Sequence, residues 1–566
     1  MHVSSGLLFV AGALVSAAPA VLAQSADTGR VLESVQPRPA PSNPQASPDV
    51  QLRTIPQANP ALPEGMQQVA VREFRIEGAA ILSQVRLQKA VEPFAGKSMT
   101  PAQMQQAADA ITQAYRDAGY KLVQAVVLPQ SINDGVVVIT VREDQLASVK
   151  VSSERVPSVV QRGLSQAMPL QQALNVTELE QALLLINAQP GGGRAAAEII
   201  PPAEGNASNI VVKYAPAAKV QGSVTADSGG NRFTGSSRLL AQIVVNEPLN
   251  AADQLSITLL STGKLLAYAQ GSYRFPITSR LSLGASLSAL EYKQCCQAAN
   301  VTSKGSAQSF GVDASYQLGL DRSSASTLFT NLDARRLSSE RNAIEQTDRS
   351  VDAVSVGFRG YKVSSAVRSW NVALRAGRAG LHNNALDLAQ DTTVGIQGNF
   401  SKLNANVYQS LRLSPAVIWQ LQARGQLNFG RNLEGSERIA LGGVDGLRAY
   451  PSGEGVGDQG WLASSEIRYA VAAAPGLSFA AFADVGGVSR YSRNTSAVLA
   501  FMGQSTNRYT LAGAGLGMRF ERAATTLSLQ VAKPIGNNRG ADAAGNNNEA
   551  RRDGQLQAWL SAAWRF

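Results

Sequence analysis

Residues 556–566 read Leu-Gln-Ala-Trp-Leu-Ser-Ala-Ala-Trp-Arg-Phe. The even positions Leu556, Ala558, Leu560, Ala562, Trp564 and Phe566 are all apolar, while Gln557, Ser561 and Arg565 fall on odd positions. A period of two is the signature of a β-strand with one apolar face. An amphipathic strand closed by an aromatic residue, here Phe566 with Trp564 beside it, is what a bacterial outer-membrane barrel presents.

The same alternation recurs upstream. Leu281, Leu283, Ala285, Leu287 and Ala289 alternate with Ser282, Gly284, Ser286 and Ser288. Trp419, Leu421, Ala423, Leu427 and Phe429 alternate with Gln420, Gln422, Arg424, Gln426 and Asn428, and Leu255, Ile257 and Leu259 sit between Gln254, Ser256 and Thr258. A soluble sandwich alternates too, so the connections decide. Short ones (276–280, 413–416, 472–477, 519–525) interleave with long polar ones (292–305, 379–394, 431–460, 489–508, 536–554). Short periplasmic turns and long surface loops belong to a membrane barrel with a wet interior, whose closure satisfies every backbone group in lipid. About sixteen strands fit between Ala218 and Phe566, an even number as such barrels require. The expected fold is mainly β: a ~16-stranded antiparallel transmembrane β-barrel over 217–566.

Composition excludes several function classes. A chain of 566 residues is too long for one ordinary core. Beyond the N-terminal leader no apolar run reaches the ~18 residues of a membrane helix. The formal charge is +10, but the basic residues are scattered and form no tract, so no nucleic-acid partner is expected. His2 and His382 are the only histidines, too few for a histidine metal cluster or a Ser/His/Asp constellation. No Gly-x-x-x-x-Gly-Lys-Ser/Thr motif occurs. No catalytic, cofactor-binding or metal residue is therefore assigned. Cys295 and Cys296 are adjacent, the wrong spacing for zinc, and free thiols are favoured over a vicinal disulfide.

The N-terminus has secretory form. Gly6 to Leu22 is a short apolar segment closed by Val21-Leu22-Ala23, which predicts a signal peptide over 1–23 cut after Ala23, although no Lys or Arg precedes it. Asp27 to Gln36 places Val31, Leu32 and Val35 on one helical face. Residues 37–66 are rich in Pro, Ala, Asn and Gln and read as an extended, mobile linker.

Two small αβ modules follow, over 67–145 and 146–216. In the first, a strand carries Phe74 and Ile76 and ends at Gly78, and a helix covers about 83–94. A second helix opens on Thr100-Pro101-Ala102-Gln103, a capping box with a first-turn proline, and stops at Gly119. Two strands then flank the hairpin signal Asn133-Asp134-Gly135. The second module starts a strand near Leu146 and has helices over 157–168 and from Asn175. Past Pro190-Gly191 it adds strands around 194–200 and 209–214. Each sheet would hold three strands with exposed edges, able to accept an added strand from an extended peptide.

Leu441-Gly442-Gly443-Val444-Asp445-Gly446-Leu447-Arg448-Ala449-Tyr450 and Phe482-Ala483-Asp484-Val485-Gly486 now matter together. Phe479, Ala481 and Val485 take the lipid register, so Asp484 faces the lumen. With the paired modules, the barrel and the closing Phe566, nearly the whole mature chain resembles the two-partner secretion transporters, the TpsB family of hemolysin and adhesin exporters. They share a superfamily with the barrel-assembly insertase. The first stretch is similar to the family's Gly-Gly followed by Val-Arg-Gly-Tyr or Val-Arg-Gly-Phe at a loop tip, with Leu447 and Ala449 replacing Val and Gly. The second matches its Phe-x-Asp-x-Gly strand motif, and Asp227-Ser228-Gly229-Gly230-Asn231-Arg232 with Thr234-Gly235 matches near the first barrel strand.

The resemblance implies that the modules are POTRA domains, that 24–36 is a pore-plugging helix, and that Arg448 pairs with Asp484, with Tyr450 and Glu466 beside them. Arg448 paired with lumenal Glu466 instead, or merely solvated, is the alternative. It also implies an outer-membrane exporter with its POTRA domains in the periplasm. The cargo would be a cognate TpsA-type exoprotein, unfolded in the periplasm and exported with or without activation. Outer-membrane lipid and the barrel-assembly machinery would be further partners. An insertase would call for a longer module array and no plug, and a porin would need no N-terminal arm.

Overall fold

The computed structural model describes residues 27–36, 50–52, 68–152, 158–200, 207–296, 301–382 and 384–566. The expected signal peptide and cleavage site lie outside them.

The first helix, α1 (Thr28–Val35), is capped by Asp27, whose carboxylate accepts from the Gly29 N–H. Within the stretch read as linker, β1 (Val50–Leu52) is a strand and not free chain. Val50, Gln51 and Leu52 pair in parallel with Ala197, Glu198 and Ile199 of the second module.

The first module contains β2 (Val69–Val71), β3 (Glu73–Glu77), α2 (Gln84–Val91), β4 (Lys97–Met99), α3 (Pro101–Asp117), β5 (Gln124–Val126) and β6 (Val136–Arg142). Its main sheet runs β3-β6-β5. Thr100 and Gln103 form the reciprocal capping box at the start of α3. Alternate residues of β6 (Val137, Ile139, Val141) and one face of α3 (Met104, Ile111, Tyr115) bury a common core. Asp134 and Gly135 take positive φ and the Val136 N–H bonds the Asn133 carbonyl, so the turn forms. It lies at the end of a longer connection between the paired strands β5 and β6, because their ladder stops at Val126 opposite Thr140. The Gln130 amide takes the missing strand's place, bonding both N–H and C=O of Val138 at 2.8 Å.

The second module contains β7 (Gln145–Ser152), α4 (Ser158–Ala167), α5 (Val176–Asn187), β8 (Arg194–Ile200) and β9 (Ala207–Ala215). Its sheet has the order β1-β8-β9-β7, four strands where three were expected, because the linker supplies the edge. Leu184 and Leu185 of α5 pack on Leu320, Ala325 and Tyr361 at the periplasmic rim of the barrel. Gln189 bonds the Ser279 carbonyl and Gln254 the Pro190 carbonyl, at 2.8 and 2.6 Å, which fixes this module against the pore entrance.

The barrel wall starts with β10 (Val220–Asp227), β11 (Arg238–Asn246), β12 (Gln254–Ser261), β13 (Leu266–Pro276), β14 (Leu281–Gln294), β15 (Ser303–Leu320) and β16 (Ser324–Arg341). It continues through β17 (Ile344–Val363), β18 (Ala366–Leu381), β19 (Gly398–Arg412) and β20 (Val417–Asn428), with helix α6 (Ala385–Val394) in the loop before β19. The loop after β20 holds a two-residue ribbon, β21 (Ile439–Ala440) with β22 (Val456–Gly457). The wall resumes with β23 (Gln459–Ala470), β24 (Leu477–Ser489), β25 (Arg508–Arg522), β26 (Thr525–Ile535) and β27 (Gln557–Arg565), and α7 (Thr495–Phe501) lies between β24 and β25. Sixteen antiparallel strands close when β27 pairs with β10, Ser561 opposite Asp227 and Arg565 opposite Ser223.

Leu239, Leu287, Phe310, Val356, Leu374, Ile467, Leu516 and Leu560 are exposed on the outer face, where lipid would cover them. Tyr273–Phe275, Phe358–Trp370 and Trp564–Phe566 stack in pairs, as interfacial aromatic girdles do. No helix among the described residues is long and apolar enough to cross a membrane; the crossing is made by strands. Cys295 and Cys296 form a vicinal disulfide and not the expected free thiols. Cys296 lies just past the end of β14 and has a positive φ.

Candidate functional site in the barrel lumen

The long loop 429–458 folds inward instead of standing in solvent. Its tip is a tight knot of backbone bonds: Gly442 N–H to the Glu454 carbonyl, Leu447 N–H to the Leu441 carbonyl, and Gly443 N–H to the Tyr450 carbonyl. Gly446 is required, since a Cβ there would meet the Leu441 carbonyl oxygen at 2.0 Å. The knot presents Leu441, Leu447, Ala449 and Tyr450 as one apolar face against Leu462, Phe482 and Leu511 of the wall.

From this platform Arg448 reaches the wall. Its Nε and Nη2 donate to the two Asp484 carboxylate oxygens at 2.9 and 2.8 Å, and its backbone N–H adds a third bond at 3.1 Å. Nη1 donates to Glu466 at 2.5 Å, and Nη2 also donates to Ser464, whose hydroxyl itself bonds Asp484. The guanidinium lies over the Phe482 ring, and Trp559 donates its indole N–H to the Arg448 carbonyl at 2.8 Å. The two pairings that the sequence set as alternatives, Arg448 with Asp484 and with Glu466, coexist. Charge-assisted, bidentate bonds of this kind are the strong and directional ones. Tyr450 donates to the Ala512 carbonyl at 3.2 Å. Gly442, Gly443 and Leu447 shape the tip without touching Asp484. Trp564 and Phe566 lie far off on the lipid face, and Phe566 exchanges both backbone hydrogen bonds with Gly222. Ser464 and Trp559 escaped the sequence reading. Trp559 was readable in principle, as a large residue on the polar parity of β27.

Helix α1 lies across the same lumen. Leu32 is buried, with Val31 and Val35, among Tyr268, Leu290, Tyr292, Leu337, Val351 and Phe400 of the wall and Leu433 of the inward loop. Thr28 bonds the Tyr292 hydroxyl and the Ser338 carbonyl, and Arg30 bonds the Gly453 carbonyl. Loop and helix touch closely: a Cβ on Gly29 would sit 2.3 Å from the Ser436 N, and one on Gly435 would sit 2.2 Å from Asp27 Oδ1. A cavity of about 880 Å³ beside them is lined by Arg30, Glu33, Gln242, Asn404, Gln422 and Arg424 together with apolar residues such as Leu240, Trp370 and Leu421.

A closed sixteen-stranded barrel with a periplasmic arm, an inward loop and a helix across its lumen defines an outer-membrane polypeptide transporter. Residues 206–520 match the family described as haemolysin secretion/activation protein ShlB/FhaC/HecB, and residues 69–144 match the ShlB-type POTRA domain. The chain belongs to that family, and it is an outer-membrane transporter, with periplasmic POTRA domains, that secretes a partner exoprotein. It is 24% identical over 465 residues to the heme/hemopexin transporter protein HuxB of Haemophilus influenzae, covering 79% of this chain and 80% of that one. Its fold is similar to that of CdiB from Escherichia coli, with a TM-score of 0.69 at 20% identity over 91% of this chain and 94% of that one. BamA from Haemophilus ducreyi, lacking POTRA domains 1–3, shares the fold more distantly, with a TM-score of 0.52 at 14% identity over 88% and 100% of the two chains.

Proposed function

We propose that α1 and the inward loop together form the closed gate of this transporter, and that export starts when a partner's extended segment displaces them. The observation that carries this reading is their joint occupation of the lumen, with Gly29 and Gly435 each packed against the other element. In this reading 1–23 is a signal peptide, 24–36 the plug, and 67–145 and 146–216 the periplasmic arm. A large, unfolded adhesin or toxin docks by strand addition on the arm and threads the lumen as a hairpin. Its folding outside supplies the drive. Arg448, held by Asp484 and Glu466, is the fixed point from which the rest of the loop moves between its closed and open positions. Outer-membrane lipid and the barrel-assembly machinery serve the barrel during biogenesis.

The test is a reversible tether. A Cβ on Gly305 would lie 2.5 Å from Thr28 Oγ1 and 2.7 Å from the Tyr292 ring, so Thr28→Cys with Gly305→Cys, in a Tyr292→Ser, Cys295→Ser, Cys296→Ser background that clears the ring and the other thiols, can lock α1 to the wall. Export should stop when the tether is oxidised and return when it is reduced. Undiminished export through the oxidised tether would sink the gate.

A further inference from the structure

The inward loop carries Glu437 onto a group of wall cations drawn from three strands. Arg375 of β18 donates to its carboxylate through Nε and Nη2, both at 2.8 Å. Arg335 of β16 approaches at 3.2 Å and Lys402 of β19 at 2.9 Å. Asp333 is the remaining acid of this group, paired with Arg375 at 2.5 Å and Arg335 at 3.1 Å. Three cations thus face one fixed wall carboxylate and one carried by the loop. Further along the wall, Arg349 of β17, opposite Leu381 of β18, is bidentate to Asp387 of α6, and its other acidic neighbours, Asp27 and Glu434, belong to the plug and the loop. The wall therefore holds the positive charge permanently, and the two movable elements bring much of the negative charge that balances it.

Removing one partner from a buried charge group leaves the others uncompensated, which is strongly unfavourable until another anion arrives. We propose, building on the gate reading, that Arg335, Arg349, Arg375 and Lys402 form a cationic track for acidic side chains of the passing polypeptide, with Glu437 and Glu434 standing in for them at rest. Carboxylates of the cargo replace those of the loop on the same guanidinium forks, so the track exchanges one anion for the next without leaving a bare cation. The same track makes the open pore anion-selective.

The experiment uses the full-length protein in planar bilayers under a potassium chloride gradient. Open-channel events of the unaltered protein should be anion-selective. Glu437→Gln, which removes the loop's carboxylate and keeps its shape, weakens the closed arrangement and should raise the frequency of open-channel events severalfold while their chloride-to-potassium permeability ratio stays as it was. Arg375→Gln together with Lys402→Gln should lower it, with a heat-modifiable band confirming that the barrel is folded. Oligoglutamate added on the periplasmic side should block the current at far lower concentration than oligolysine. Cation-selective channels, an opening frequency unmoved by Glu437→Gln, a ratio unmoved by Arg375→Gln with Lys402→Gln, or stronger block by oligolysine would overturn the track. The gate reading is read separately, from the tethered export assay, so either can fail alone.

Discussion

Arg448 and Asp484, 36 residues apart in sequence, are joined by three hydrogen bonds, two from the guanidinium and one from the Arg448 backbone N–H. The backbone bond matters as much as the side-chain fork. It fixes the loop's main chain against β24, so the tip has one defined height in the lumen.

Arg448→Ala is expected to cut export severely while the protein still reaches the outer membrane at near-normal level. Strand pairing supplies the barrel's stability, and the unpaired Asp484 costs on the order of 1–3 kcal/mol, enough to move a loop but not to open a barrel. Asp484→Ala should behave alike, and the double variant should be little worse than either if the two act as a unit. Secretion and barrel level, measured together in all three strains, decide it; fully additive defects would break the unit apart.

Deleting residues 27–36 should raise the channel conductance, because Leu32 and its neighbours no longer fill the space between Tyr268, Val351 and Phe400. Planar-bilayer recordings check this. An unchanged conductance would leave the barrel intact as a description and remove α1 as its plug.

Gln51→Pro should detach β1 from β8, since proline cannot donate to a ladder. Each lost bond is worth about 1 kcal/mol, so hydrogen exchange at Ala197–Ile199 should quicken by roughly fivefold. A freed β8 edge should also capture an extended partner segment more tightly. Exchange that stays slow would show that β8 is protected by something other than β1.

The periplasmic arm should also respond to pH. Burial pushes the Asp144 carboxyl above its ordinary range, against the hydrogen bonds it receives from Ser208. A raised folded pKa favours the protonated form, so Asp144's contribution is fully present below the ordinary carboxylate value of about 3.9 and is lost as pH rises through the raised one. Chemical unfolding of the arm at pH 4 and pH 7, with and without Asp144→Asn, should show a pH dependence that the substitution reduces.

Removing residues 71–143 should abolish export yet leave a heat-modifiable barrel in the membrane. The second module holds its own core and its own contacts with the barrel rim, so the loss should stay local. Secretion that survives the deletion would show that docking on the first module is not obligatory.

The sequence by itself determined the barrel, because alternation with a period of two is a local signal written in every strand, from Leu281–Ala289 to Leu556–Phe566. It also determined the inward parity of Asp484 and the capping box of α3, which depend on neighbours within a few residues. Only the tertiary structure decided what those faces meet. Nothing local marks Val50–Leu52 as a strand: three residues in a polar stretch hold that form only because β8 offers an open edge. The gathering of Arg335, Arg375, Lys402 and Glu437 depends on the relative register of β16, β18 and β19 and on the direction the loop takes. Register is a relation between strands, set by pairing around the closed wall, and no single strand carries it.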